Sequence, residues 1–342
     1  MQAVRFFGPG DLRPQSVPTP ELTRDGTVSV RVVAAGVCGS DLHNFTTGRW
    51  VAGLPVTPGH ELAGIVTATR GACLGLRVGQ PVVADSRVGC GQCEACEAGL
   101  PNRCRSLGFV GEVCDGGFAQ TVVLPARQLV ALPTDLPLHL AALAEPLSVA
   151  LHAIGQLRPD PRAPVIVCGG GTIGGLAALV LGRRGHGVHL LERHPDRQTL
   201  LAAQAGTRPL PPDEAAWTER FGAIGPRFIL DATGSAAVVT MALPRMAAGG
   251  TFVVAGLFHD PPTIDFNLVV ERELTVRGVG AFAGEMPEAI ALLPELAAAL
   301  EPLITPGQPL DAVPALYAHL LAGGEARLKT LVAPNGTGTE GW

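Results

Sequence analysis

Lysine is all but missing from this chain: Lys329 is the only one, and every other member of its 25 basic side chains is arginine. Thirty acidic residues outnumber them, and the net charge of -5 at pH 7 argues against a nucleic-acid surface. No run of about 18 uncharged apolar residues occurs, so no membrane-spanning helix is expected. The N-terminal Met1-Gln-Ala-Val-Arg-Phe-Phe lacks the long apolar core of a secretory signal. A cytoplasmic location with reduced thiols is therefore expected, which argues against a disulfide framework for the eight cysteines. No internal repeat is visible. The 342 residues, 47% hydrophobic and 16% charged, supply enough chain for two globular domains.

Short β-type runs broken by Gly and Pro fill the first 145 or so residues. Val28-Ser-Val-Arg-Val-Val alternates as a half-buried strand should, and Ala63–Ala68, Pro81–Ala84 and Ala119–Leu124 look similar. An irregular, mostly antiparallel β domain is expected there. From Ala141 to Ile154 apolar residues fall at helical spacing. Beyond Pro164, short apolar runs (Val165–Cys168, Val188–Glu192, Arg227–Asp231, Gly250–Gly256, Leu274–Gly278) alternate with helical segments, the pattern of a parallel, doubly wound sheet. Helices over Pro287–Leu300 and Val313–Gly323 and a last strand at Leu328–Val332 follow, and the Gly/Thr-rich tail Pro334–Trp342 is expected to be loose.

Three motifs carry chemistry. Between Gly36 and Glu61 lie Cys38, His60 and Glu61, a thiolate, an imidazole and a carboxylate of the types that Zn2+ accepts. Ser40 and His43 in the same stretch have the chemistry of a proton relay. A lone cysteine is more often a buried apolar residue; its company here weighs against that. The second motif is Cys90, Cys93, Cys96 and Cys104, four thiols close enough in sequence to form a closed structural zinc site. An iron-sulfur cluster is the rival, and zinc is preferred because no Cys-Pro follows. Cys73, Cys114 and Cys168 are expected to be buried apolar residues.

The third motif, Gly169-Gly-Gly171-Thr172-Ile173-Gly174, follows a strand and opens a helix, the setting of a dinucleotide-binding turn. Gly169 suits the tight turn, Gly171 the approach of a pyrophosphate and Gly174 close helix–strand packing. Glu192, about twenty residues on, is placed to accept both ribose hydroxyls and favours NAD over NADP. Arg193 beside it has the opposite preference.

Gly36-Val-Cys-Gly-Ser-Asp-Leu-His43, Pro58-Gly-His-Glu61, the four-cysteine loop, Gly116-Gly-Phe118 and Ala144-Glu-Pro-Leu-Ser-Val-Ala-Leu-His152 resemble the zinc-dependent medium-chain dehydrogenases. Glu145-Pro-Leu resembles the branch of sorbitol, butanediol and threonine dehydrogenases. The resemblance implies a Rossmann doubly wound parallel sheet at 147–280. It also implies an irregular, mostly β, GroES-like catalytic domain from 1–146 and 281–342. Cys38 and His60 would bind a catalytic zinc, with Glu61, Glu145 or both completing the shell, and Ser40 and His43 would relay the proton. The implied reaction is NAD-dependent, zinc-assisted hydride transfer between a secondary alcohol (a vicinal diol, polyol or cyclitol) and its ketone, in a homodimer or homotetramer. Two readings compete with it: a zinc-independent quinone or enone reductase on the same scaffold, and a non-catalytic nucleotide-binding protein. Asn44 stands where the sorbitol enzymes carry an aromatic, and Val279–Gly284 lacks their Arg-containing segment, which argues against sorbitol itself. Asp41 and the histidines at 139, 152, 186, 189, 194, 259 and 319 read as structural or surface residues.

Overall fold

Short runs such as Val165–Cys168, Phe228–Asp231 and Thr251–Val254, apolar but for Asp231 and Thr251, are too short for helices and too uniform for half-exposed strands. In the computed structural model they form the middle of a six-stranded parallel sheet. Its order is Arg208–Pro209, Val188–Leu191, Val165–Cys168, Phe228–Asp231, Thr251–Val254 and Thr275–Gly278, the doubly wound order of dinucleotide-binding folds. Ile166, Ile229, Phe252 and Trp217 centre the core of this unit, which comprises Pro146–Glu285 and Ala326–Leu328. Two bonds tie the late segment to it: Thr172 Oγ1 donates to Leu328 O (2.5 Å) and Arg197 Nε to Ala326 O (3.2 Å). The structure describes residues 1–338 and 342; residues 339–341 of the expected loose tail lie outside the described residues.

The other unit comprises Met1–Glu145, Met286–Glu325 and Lys329–Trp342. Among the described residues its main sheet is antiparallel, running Leu331–Val332, Thr27–Gly36, Glu61–Arg70, Pro81–Ala84 and Leu129–Ala131, with Thr121–Pro125 also paired to Thr27–Gly36. The alternation at Val28–Val33 predicts a half-buried strand, but Thr27–Gly36 is buried along nearly its whole length. Neighbours pair with it on both edges, and Val4, Phe6, Leu62, Phe118 and Tyr317 pack around it. A two-stranded ribbon, Gln2–Gly8 with Asp11–Ser16, was not expected from the sequence. Among the described residues no helix is long and apolar enough to cross a membrane.

Candidate active site

The long strand Thr27–Gly36 ends where Glu61–Arg70 begins, with Gly36 opposite Glu61 in register. This pairing brings the segment after Gly36 beside His60-Glu61. Cys38 caps the helix Gly39–Thr47, where Asp41 Oδ2 accepts from the Cys38 backbone N–H (2.8 Å) and so fixes the turn. One ligand atom each of Cys38, His60 and Glu61 lies within 4.8 Å of the others. The neighbourhood is dry: His60, Glu61, Asp41 and Glu145 are all buried. Glu145, in the first turn of Ala144–Leu157, is not in that triad; its Oε1 accepts from the buried Ser86 hydroxyl at 2.7 Å.

Asp41, read from the sequence as structural, has a second position of consequence. Its Oδ1 stands 3.7 Å from His60 Nδ1, beyond hydrogen-bond reach but close enough for its charge to act on the imidazole. Burial disfavours the charged imidazole, but Asp41 and Cys38 outweigh it and hold the His60 pKa well above its ordinary value. Burial likewise pushes the Glu145 carboxyl up to about 6, only partly opposed by His60. Three buried carboxylates and a thiol against one lysine, Lys329, and one imidazole leave room for a cation's charge. The donor set fits a zinc ion.

Ser40 and His43 sit one turn apart on the helix Gly39–Thr47 and so share a face. The His43 ring stacks on Trp50, centroids 4.4 Å apart. Asn44 is buried and structural: its Nδ2 donates to Glu112 Oε1 (2.9 Å) and its Oδ1 accepts from the Trp50 N–H (3.1 Å). Burial lifts the Glu112 carboxyl to about 7. An aromatic therefore reaches His43 from position 50 rather than 44. Sequence reasoning passed over Glu112, Ser86 and the role of Lys329, because each acts through a partner distant in sequence, and over Trp50, whose stacking on nearby His43 depends on the loop between them.

The thiols of Cys90, Cys93, Cys96 and Cys104 all lie within 4.8 Å of one another. Cys104 Sγ accepts from the Cys90 N–H at 3.4 Å and lies 3.7 Å from Ser106 Oγ. These groups draw its pKa down to about 6, whereas burial and the neighbouring thiols outweigh the Gly91 N–H and push Cys96 up to about 11. Four thiols this crowded ionise together only around a cation. Cys73 and Cys168 are buried as expected, while Cys114 is half-buried.

Gly169 has φ +90°, which favours glycine, and a Cβ on Gly174 would stand 1.9 Å from Gly169 O. A Cβ on Gly171, the cap of Thr172–Arg183, would meet nothing within 4 Å, so open space faces the helix start. That cradle fits a dinucleotide pyrophosphate. Thr172 turns its hydroxyl to Leu328 O instead, and Ile173 follows it in the first turn. Glu192 lies just past the strand Val188–Leu191; its Oε2 accepts from Gly170 N–H (2.6 Å) and its Oε1 from His194 N–H (2.8 Å). Arg193 is exposed, and Arg197, which the sequence reading did not single out, stands 3.5 Å from Glu192.

A thiolate–imidazole–carboxylate centre and a dinucleotide-type glycine turn in one chain define a metal-assisted nicotinamide oxidoreductase. Residues 24–134 match the alcohol dehydrogenase GroES-like domain, and residues 172–295 match the zinc-binding dehydrogenase domain. The (R,R)-butanediol dehydrogenase of Neisseria gonorrhoeae is 30% identical over 98% of this chain and 100% of its own length. The crystal structure of 2R,3R-butanediol dehydrogenase from Bacillus subtilis is 27% identical, with a TM-score of 0.88 over 98% of this chain and 99% of that one. Galactitol-1-phosphate dehydrogenase from Escherichia coli is 26% identical, with a TM-score of 0.87 over 98% of this chain and 100% of that one. The chain belongs to the zinc-binding medium-chain alcohol and polyol dehydrogenases, which are NAD(P)-dependent enzymes.

Proposed function

We propose that this enzyme oxidises a secondary alcohol bearing a neighbouring hydroxyl, a vicinal diol, polyol or cyclitol, with NAD, and reduces the matching ketone. The observation that carries the reading is the meeting of half-buried Cys38 with buried His60 and Glu61, with a second buried carboxylate, Glu145, held by Ser86. Cys38, His60 and Glu61 or Glu145 would hold the catalytic zinc, which supplies Lewis acidity to the reacting oxygen. A carboxylate left off the metal accepts a hydrogen bond from the second hydroxyl. Ser40 and His43 pass the released proton toward solvent, and Trp50 fixes the His43 ring. Cys90, Cys93, Cys96 and Cys104 would hold a second, structural zinc. The backbone at Gly169, Gly171, Thr172, Ile173 and Gly174 receives the pyrophosphate and Glu192 the ribose, with Arg193 and Arg197 opposing that preference by their charge. Relatives named for butanediol and galactitol phosphate support the class of substrate.

A site built to bond a second hydroxyl leaves polar groups unpaired when that hydroxyl is missing. Diols such as 2,3-butanediol, polyols or cyclitols should therefore show higher kcat/KM than matched simple alcohols such as 2-butanol. Equal turnover of the simple alcohols across such a panel removes the diol reading. Homo-oligomers form in this reading through the sheet edge near Leu274 to Gly278, where Val276 is exposed. Light scattering of the purified protein checks that; a monomer at working concentration refutes it.

A further inference from the structure

The one lysine in the chain lies at the metal-type centre, 2% exposed. Lys329 Nζ is 2.7 Å from each Glu61 oxygen and donates to the Val37 carbonyl at 2.9 Å. It thus bonds the two segments that present the candidate ligands, the peptide leading into Cys38 and the Glu61 carboxylate. The backbone holds it there: Val37 N–H donates to Thr330 O (2.9 Å), and Leu331–Val332 pairs with Ala35 and Gly36. Gly36 keeps the slot open, since a Cβ there would stand 2.0 Å from Glu61 Oε2 and 3.0 Å from Lys329 Cδ. A chain that uses arginine at every other basic position has placed a compact ammonium where a planar guanidinium would need more room.

We infer that Lys329 is a positioning residue: a built-in counter-ion that holds Glu61 in place and competes with the zinc ion for it. The inference rests on the reading of Cys38, His60 and Glu61 as ligands and deepens it. Without metal, the ammonium satisfies a carboxylate that would otherwise be buried and unpaired. With metal, the same positive charge opposes the dication across a few ångströms of low-dielectric interior and loosens its hold on Glu61. A carboxylate shared in this way can join or leave the shell as substrate arrives, with the lysine as its resting partner.

The test is zinc affinity and stability, read without turnover. Wild type, Lys329→Met, Lys329→Arg, Glu61→Gln, Cys38→Ser and the double variant Lys329→Met/Glu61→Gln are titrated with zinc against a graded series of chelators. The melting temperature of each is measured metal-free and loaded. Lys329→Met should bind zinc at the weaker site at least about tenfold more tightly than wild type. Its metal-free form should melt about 5 °C lower or more, while Lys329→Arg stays nearer wild type in affinity. Unchanged or weaker zinc binding by Lys329→Met overturns the inference. Should Lys329→Met not fold without metal, the double variant decides. Recovery there shows that the stranded Glu61 caused the failure, and no recovery makes Lys329 a structural tie to Val37 and overturns the inference. If Cys38→Ser or Glu61→Gln leaves zinc binding at both sites unchanged, the ligand reading itself falls, a result distinct from the other two.

Discussion

Cys90, Cys93, Cys96 and Cys104 come from one short stretch and range from exposed to buried, whereas Cys38 and the adjacent pair His60-Glu61 come from two segments and converge beside buried Asp41, Glu145 and Lys329. The thiol loop is held by local turns, and a cation bound there would complete its structure. The other cluster is positioned by the surrounding fold, through the Lys329–Glu61 ion pair and the Ser86–Glu145 and Cys38–Asp41 hydrogen bonds. The difference is one of source: chain proximity organises the first, and the sheet register between Gly36 and Glu61 organises the second.

The largest expected effects set these clusters apart directly. Cys38→Ser should abolish turnover while circular dichroism and melting stay near wild type, and Cys93→Ser should impair folding or assembly. Elemental analysis should give two zinc ions per chain, with a chelator stripping one together with activity and leaving the closed four-thiol site filled. Loss of both ions at the same chelator strength, or a single ion per replete chain, breaks the contrast. Next in size, Asp41→Asn should weaken zinc binding at the Cys38 cluster and leave the thiol loop unaffected, because it removes a buried negative charge 3.7 Å from His60 Nδ1. A competition titration that finds both sites unchanged returns Asp41 to a purely structural role.

Cofactor choice gives a smaller effect. Glu192→Ala should narrow the preference for NAD over NADP by about 1–3 kcal/mol, as hydrogen bonds from the ribose to a charged group are lost. If wild type works better with NADP, Arg193 and Arg197 decide the matter. The smallest effect contrasts His60 with His189, a buried imidazole with no ion pair among the described residues. Burial, with Arg220 and Arg208 adding repulsion, pushes the His189 pKa down to about 4 from 6.5. Because the unfolded chain binds that proton more readily, His189 leaves stability intact above pH 6.5 and erodes it as pH falls from 6.5 toward 4. His189→Phe should thus flatten the loss of stability between pH 6.5 and 4. Parallel pH–stability curves for variant and wild type would contradict this.

Much of the fold was legible because it rests on local pattern. Apolar runs of strand length alternating with helical segments describe the doubly wound sheet, and the glycine turn is read from strand, glycines and helix in sequence. The ribbon of Gln2–Gly8 and Asp11–Ser16 was not, since Pro14 in its second strand mimics a loop. The helix Gly39–Thr47 was missed as well: Gly, Ser, Asn and Thr are poor helix formers, and Asp41 supplies the start by bonding Cys38. Within the site, Cys38, His60 and Glu61 are conspicuous by ligand chemistry alone. The partnership of Lys329 with Glu61 spans 268 positions and leaves no local trace beyond the rarity of lysine.

Asn44 binds the Trp50 backbone with one end of its amide and Glu112 with the other. For anyone reshaping this enzyme, position 44 is therefore a pin and position 50 a panel. The Trp50 backbone stays anchored whatever side chain it carries, so the wall beside His43 can be redrawn by substitution there without shifting the loop. Changes at Asn44 release both attachments at once and scatter the geometry that selection would act on.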